Sequence, residues 1–307
     1  MKRVTAVFFS LLLASSAGCA KDDKPNGTAP TTAAASPASP KAKPASVETM
    51  TFLKKAPQVS TRQEERSASH MNLTINVDPT GTGKPQTSQV ETTEAETKTE
   101  QVLAVNGDAV TKLQVTFVEK AQTNKQGKDV VATNKRSPLS GKTFVLESKN
   151  GKLVATDLFG APASSSDALL LEKSYKSLGK PDPVLAAMPV RPLKSGDKVD
   201  ELGKAIRERM NGAGGMTVTN VVVSLREQKD DEGIFDVTME LTKADGPIKF
   251  VVDLKGDMHV RLDDSRTTSL NLAGPVGVGA NEADKGKSKM QVDGTGSMEL
   301  SETSTKL

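Results

Sequence analysis

The chain has no tryptophan, one tyrosine (Tyr175), one cysteine (Cys19) and two histidines (His70 and His259) in 307 residues. Each scarcity excludes something. A lone cysteine forms no internal disulfide, so stability has to come from core burial. Two histidines and one cysteine do not furnish a structural zinc site. Few aromatics argue against a carbohydrate groove, where sugars stack on aromatic faces. Long apolar runs are also missing: Val4–Leu13 is the one continuous stretch, too short to cross a bilayer as a helix.

That short run sits in an export signal. Lys2 and Arg3 form a positive start, Val4–Leu13 the apolar segment, and Ser15-Ser16-Ala17-Gly18 a small-residue cleavage point before Cys19. Ser16-Ala17-Gly18-Cys19 resembles the lipobox of bacterial lipoproteins, departing from it at Ser16, where leucine is usual. The resemblance implies that Cys19 is acylated and becomes the mature N-terminus, an anchor of several buried chains. Ala20, in place of aspartate, implies sorting to the outer membrane, facing the periplasm or the surface. Loss of residues 1–18 removes Lys2 and Arg3 and lowers the formal charge from +3 to +1. A near-neutral mature chain gives no reason to expect nucleic acid.

Residues 19–48 are Ala, Pro, Ser, Thr and Lys around the cysteine, a segment that cannot offset its ordering entropy and reads as a disordered tether. About 260 residues remain, enough for one large or two small domains. They read as a first antiparallel β region (49–160), a helical connector (161–212) and a second β region (213–307). Met71, Leu73, Ile75 and Val77 alternate with His70, Asn72, Thr74 and Asn76. Glu94, Glu96, Lys98 and Glu100 share one face of the next segment. Ala95, Thr97, Thr99, Leu103 and Val105 share the other. Leu113, Val115 and Phe117 point inward. Asn150-Gly151 predicts a type I′ turn that sets Leu146 opposite Ala155.

In the connector, Ser166 or Asp167 predicts a cap for a helix carrying Ala168, Leu171, Tyr175 and Leu178, stopped by Gly179. Asp197 predicts the cap of a second helix with Val199, Leu202, Ile206 and Met210 on one side, ended by Gly212, Gly214 and Gly215. Strands then return: 221–225, 235–241 and 248–254, a turn at Gly256-Asp257, and 258–262. A loop at Asp263-Asp264-Ser265 follows, then Leu270 and Leu272. Gly274–Gly279 reads as a flexible connector. The last strand puts Met290, Val292, Gly294, Gly296, Met298 and Leu300 inward. Its glycines predict a bent sheet or a close neighbouring backbone. Phe144–Gly151 aligns weakly with Phe250–Asp257, so the halves could be a duplication or parts of one sheet. The fold class is mainly β: curved antiparallel sheets in two strand-rich halves joined by a short helical insert.

Motifs for chemistry are sparse. His70 and His259 fall on polar strand faces. Asp230-Asp231-Glu232-Gly233 and Asp263-Asp264 are acidic turns without the spacing of a calcium loop. Gly81-Thr82-Gly83-Lys84 is no phosphate loop, because Pro85 occupies the Ser/Thr position. Ser137–Gly141 is no nucleophile elbow. Lys120, Lys125, Lys128, Lys135, Arg136 and Lys142 form a basic run. It is a solvated loop or a contact for anionic headgroups. The chain resembles, through its lipobox, its Ala/Pro/Ser tether, its strand-rich halves and its passage from Pro189-Val190 to Gly196-Asp197, lipoproteins of soil deltaproteobacteria such as the myxobacteria. That resemblance implies no activity, cofactor or metal.

The expectation is a lipid-anchored envelope protein with a non-catalytic binding or structural role. Its partners are the membrane through Cys19 and an apolar ligand or envelope protein. The first alternative is a carrier of lipid in a cavity between curved sheet and helices. The second is a hydrolase using carboxylates such as Glu240 or Asp253, which the alternation turns outward.

Overall fold

The structure, a computed structural model, describes residues 49–78, 83–126, 133–210, 215–245, 248–281 and 291–307. Cys19, the export signal and the tether lie outside these residues, as do Gly81, Thr82, Lys128, Gly212, Gly214 and Met290. Among the described residues no helix is long and apolar enough to cross a membrane.

The chain enters through β1 (Thr49–Met50) and continues as β2 (Arg62–Asp78), β3 (Gln86–Asn106), β4 (Ala109–Gln126), β5 (Thr133–Arg136), β6 (Thr143–Lys149) and β7 (Lys152–Thr156). A connector holds α1 (Ser165–Ser174), α2 (Pro183–Ala187), β8 (Leu193–Lys194) and α3 (Asp200–Met210). Then follow β9 (Thr217–Lys229), β10 (Glu232–Asp245), β11 (Ile248–Arg261), β12 (Thr267–Ala280) and β13 (Gln291–Lys306).

The protein is mainly β, as its alternation predicts. Both strand-rich regions are antiparallel meanders. They join in one eleven-stranded sheet, in the order β7-β6-β4-β3-β2-β13-β12-β11-β10-β9 with β5 beside β4. The join is β2 against β13, an unbroken register from Gln63↔Lys306 to Asp78↔Gln291. The first and last strands of the large sheet in chain order, β2 and β13, therefore sit at its middle.

The close-backbone reading of the glycines holds. A Cβ on Gly296 would lie 1.9 Å from the Asn72 carbonyl oxygen, so only glycine lets β13 approach β2 there. The predicted turn at Gly256-Asp257 does not exist. β11 runs through it, and Gly256 serves instead as a point of close approach to the neighbouring strand. A Cβ there would meet the Asn271 oxygen at 1.8 Å, and one on Gly274 would meet the Asp253 oxygen at 1.8 Å. The same close approach corrects the reading of Gly274–Gly279 as a connector: these residues belong to β12. Glycine was read as a break where the sheet uses it to coil.

The Asn150-Gly151 turn is as expected. Both residues have positive φ, 53° and 76°, and Leu146 faces Ala155. Helix caps shift. α1 begins at Ser165, and its cap is Ser164, whose side chain accepts from the Asp167 N–H. Asp197 lies ahead of α3 and accepts from the Lys194 N–H at 3.0 Å and from Arg191 at 3.1 Å. The Pro-rich joint contains the short helix α2, capped by Asp182.

Two apolar cores result. The larger gathers Val223, Phe235, Val237, Leu254 and Met298 of the sheet with Val184, Leu193, Leu202 and Ile206 of the connector. Gly203 lets α3 close on β9, since a Cβ would lie 2.9 Å from the Val221 oxygen. The smaller core packs Val102, Val115, Phe117, Phe144 and Leu146 against Leu171 and Tyr175.

Candidate functional site

An ionic cluster lies on the inner face of β2, β3 and β4. β3 carries Thr92, Glu96, Lys98, Glu100 and Val102 buried on that face, with Glu94 half-buried between them. The four charges expected to share a face do share one, and it is the inner one. Two bulges explain why their direction was hard to read. Register breaks around Ala104 reverse the alternation, so Val102 and Val105 both pack against the smaller core. The apolar signal of Leu103 and Val105 thus carries no information about the strand before the bulge. In β4 a second break at Val118 turns the inward set from Leu113, Val115 and Phe117 to Lys120, which faces Glu96.

Lys98 is the hub. Its Nζ stands 2.8 Å from Glu65 Oε2, 2.7 Å from Glu100 Oε1 and 3.3 Å from the Tyr175 hydroxyl. Tyr175 donates to the same Glu100 oxygen at 2.7 Å. The ammonium also lies 5.1 Å from the tyrosine ring centre. Burial disfavours the ammonium, but the Glu100 and Glu65 carboxylates outweigh it and hold Lys98 well above the ordinary lysine value. Two carboxyls share this one cation. Burial raises both, yet Lys98 brings Glu65 below its ordinary value. Glu100 stays raised by burial and by the Glu65 charge, against the pull of Lys98. Burial and the neighbouring Glu100 carboxylate keep the Tyr175 phenol protonated, hence a donor.

Next along β3, Lys120 pairs with Glu96. Burial pushes Glu94 up to about 7, with Lys120 opposing and Glu96 assisting. Arg209 of α3 reaches Glu302 of β13 at 3.8 Å. The cluster thus occupies the seam where the two apolar cores meet. Chemically it is a set of compensated ions in which Glu65, Glu96 and Glu100 each have a lysine partner. Among the described residues no group of three or more His, Cys, Asp or Glu is placed to hold a metal.

The other sequence candidates lie elsewhere. His259 is on the outer face, with Nδ1 3.0 Å from Glu232 Oε2 and Nε2 3.7 Å from Asp257. His70 borders an open hollow of about 410 Å³ on the same outer side, with Lys255, Asp257 and Glu299. Glu240 and Asp253 are directly opposed across β10 and β11 and border a second open hollow of about 460 Å³. Glu240 accepts from Thr219 Oγ1 at 2.6 Å. Neither hollow lies between sheet and helices. Of the basic run, Lys120 turns inward, while Lys125 pairs with Glu91 and Lys142 with Asp167. Sequence reasoning gave no role to Glu65 or Tyr175. Tyr175 carried one signal, being the sole tyrosine, at helical spacing from Leu171.

No protein-family model matches the chain, and no curated protein does. Among solved structures, the chain is similar to one describing lipid–protein interactions in lipovitellin, at 7% identity and a TM-score of 0.36. The match covers 79% of this chain, which spans 25% of the lipovitellin chain. It is also similar to DynF from the dynemicin biosynthesis pathway of Micromonospora chersina, at 7% identity and a TM-score of 0.20, over 85% of this chain and 92% of that one. Likenesses at these scores carry no argument about function.

Proposed function

We propose that the protein is a lipid-anchored bacterial envelope protein, acylated at Cys19, whose folded part has a non-catalytic binding or structural role. The observation that supports this most is how the tether enters the fold. Thr49 and Met50 pair with Lys194 and Leu193. Met50 and Phe52 are buried in the larger core, and the Phe52 ring packs at a tilt of 39° against Phe235 with ring centres 5.5 Å apart. Leu53 donates its N–H to Leu262 at 2.8 Å and accepts from Ser265 Oγ at 3.0 Å. A chain held by strand pairing, aromatic burial and backbone bonds resists being peeled off when its other end is fixed. Glu65, Glu96 and Glu100 support a non-catalytic reading, because Lys98, Lys120 and Tyr175 already occupy them.

The packing favours a solid core over the cavity a carrier needs: Leu193, Leu202, Phe235 and Leu254 are all fully buried between connector and sheet. Membrane fractionation with mass analysis of the mature N-terminus tests the reading. Wild type is expected in the membrane fraction with a diacylglyceryl mass on Cys19, and Cys19→Ala in the soluble fraction. A Cys19→Ala protein that stays with the membrane sinks the anchor.

A further inference from the structure

The described part of the chain contains six phenylalanines. Five of them (Phe52, Phe117, Phe144, Phe235 and Phe250) are buried in the two cores, while Phe159 is 96% exposed. Its neighbour Leu158 is 56% exposed. An isolated surface leucine is unremarkable in any protein, but a fully solvated aromatic beside a second large apolar side chain is not. The turn presenting them is well fixed. Asp157 Oδ1 accepts from the N–H groups of Phe159 at 2.8 Å and Ala161 at 2.9 Å. Asp157 N–H donates to the Ala161 carbonyl at 2.8 Å, and Gly160 takes φ 87° to close the turn.

The surroundings extend the patch. β7 ends at Thr156, opposite Val145, so the turn emerges where β6 begins, beside Gly141 and Lys142. Phe117 bonds to both of those residues, which brings half-exposed Val118 to the same step of the sheet. The Arg136 guanidinium lies against Gly141, with Nη2 4.0 Å from where its Cβ would stand. Leu158 and Phe159 form the apolar tip, and Val118 and the exposed Arg136 lie across β6 from it, on β4 and β5, a combination that suits the boundary between acyl chains and anionic headgroups.

We propose that the Leu158–Phe159 turn dips into the interface of the membrane to which the protein is anchored, fixing which side of the sheet faces the bilayer. This inference rests on the Cys19 anchor. A random coil as long as the segment 19–48, about 30 residues, would have a root-mean-square span of about 30 Å. A folded part of about 260 residues has a radius of gyration of about 18 Å. Thr49 enters beside β10 and β11, toward the opposite edge of the sheet from β7, so the tip is held within the tether span plus about one molecular diameter, about 75 Å, of the bilayer. At the resulting effective concentration, in the millimolar range, a weak contact is enough to orient the molecule.

The absence of tryptophan makes the test direct. The full mature chain carrying Cys19→Ser, hence unacylated, receives Phe159→Trp as its only tryptophan. Vesicles of phosphatidylethanolamine and phosphatidylglycerol are added up to millimolar lipid. The expected result is a blue-shifted emission that brominated acyl chains quench. Phe159→Asp is expected to lower vesicle association, measured by sedimentation, about tenfold or more. The control is Val190→Trp, at a position 77% exposed on the connector, whose emission is expected not to move. An unshifted Phe159→Trp overturns the proposal, as does an equal shift at both positions. A blue shift that grows with protein concentration and needs no lipid overturns it in favour of self-association. Failure of the anchor reading registers separately, as an unacylated Cys19 in the wild-type mass, and leaves the vesicle result standing.

Discussion

The half of the sheet built from β9 to β13 and the stretch of β3 from Glu94 to Glu100 in the other half bury opposite kinds of surface. In the first, the inner face is Val, Leu, Met and Phe, backed by α2 and α3. In the second, the inner face of β3 is Glu96, Lys98 and Glu100, closed off by Tyr175. Apolar burial stabilises without direction, roughly in proportion to area. Buried ions stabilise little in net terms and are costly to unpair, but they accept only one arrangement of partners. The contrast suggests a division of roles: the apolar half supplies stability, and the ionic half fixes how the two cores meet.

The strongest test of the first role is Phe235→Ala. The side chain is fully buried and touches Phe52 of the entering chain. Truncation leaves a cavity and is expected to cost about 3–5 kcal/mol, read from urea or thermal unfolding. It should also free the segment around Phe52 to proteolysis. A loss under about 1 kcal/mol, far below the usual range for such a truncation, breaks the assignment of stability to this half.

Lys98→Met tests the second role. It leaves Glu65 and Glu100 buried beside each other without the cation they share, Arg209 being the remaining positive charge nearby, a change expected to cost about 3 kcal/mol at pH 8. Both carboxyls then gain by taking up protons, so the penalty should shrink as pH falls toward 5. The Phe235→Ala penalty should not change with pH in this way. Equal pH dependence in the two variants erases the distinction between the halves. Lys98→Met with Glu65→Gln and Glu100→Gln together should recover most of the loss.

The same contrast decides what was legible in the sequence. In β2 and β10 alternation alone assigned the inward residues, because one face is apolar throughout: Met71, Leu73, Ile75 and Val77, then Phe235, Val237, Met239 and Leu241. In β3 alternation groups Glu94, Glu96, Lys98 and Glu100 on one face as observed, but it misplaces Val105, which packs inward past the bulge, and hydropathy does not say that a row of glutamates turns inward. That outcome depends on Tyr175, 75 residues away from Glu100, and on bulges that a single sequence does not reveal. Glycine misled for a related reason. Gly256 and Gly274 carry the local signal of a turn, while their use is set by a carbonyl on the neighbouring strand. The pairing of β2 with β13 is likewise a long-range choice, invisible to local pattern. The proposed acylation of Cys19 is the converse case: the likeness of Ser16-Ala17-Gly18-Cys19 to a lipobox rests on a few adjacent residues, and nothing in the fold bears on it.

Glu94 offers the smallest and most selective effect. Burial raises its carboxyl from 4.5 to about 7 in the folded protein. Between those values the native state holds a proton that the unfolded chain releases. The native state therefore loses stability as pH rises through the window, and the contribution is complete only below it. Because Glu94 is only half-buried, screening reduces the effect to about 1–2 kcal/mol across the window. Glu94→Gln removes this slope while keeping the shape of the side chain. Its advantage over wild type should be near zero at pH 4.5 and about 1–2 kcal/mol at pH 8, measured by urea unfolding at both. Glu100 is raised in the same direction and remains in the variant, so the slope should diminish without vanishing. Glu65 is lowered instead, and its contribution is lost on the acid side of 4.5, outside the window. Parallel pH profiles for wild type and Glu94→Gln would mean that the ionic half is open to water at Glu94. The ion-lined seam would then have to be confined to the neighbourhood of Lys98.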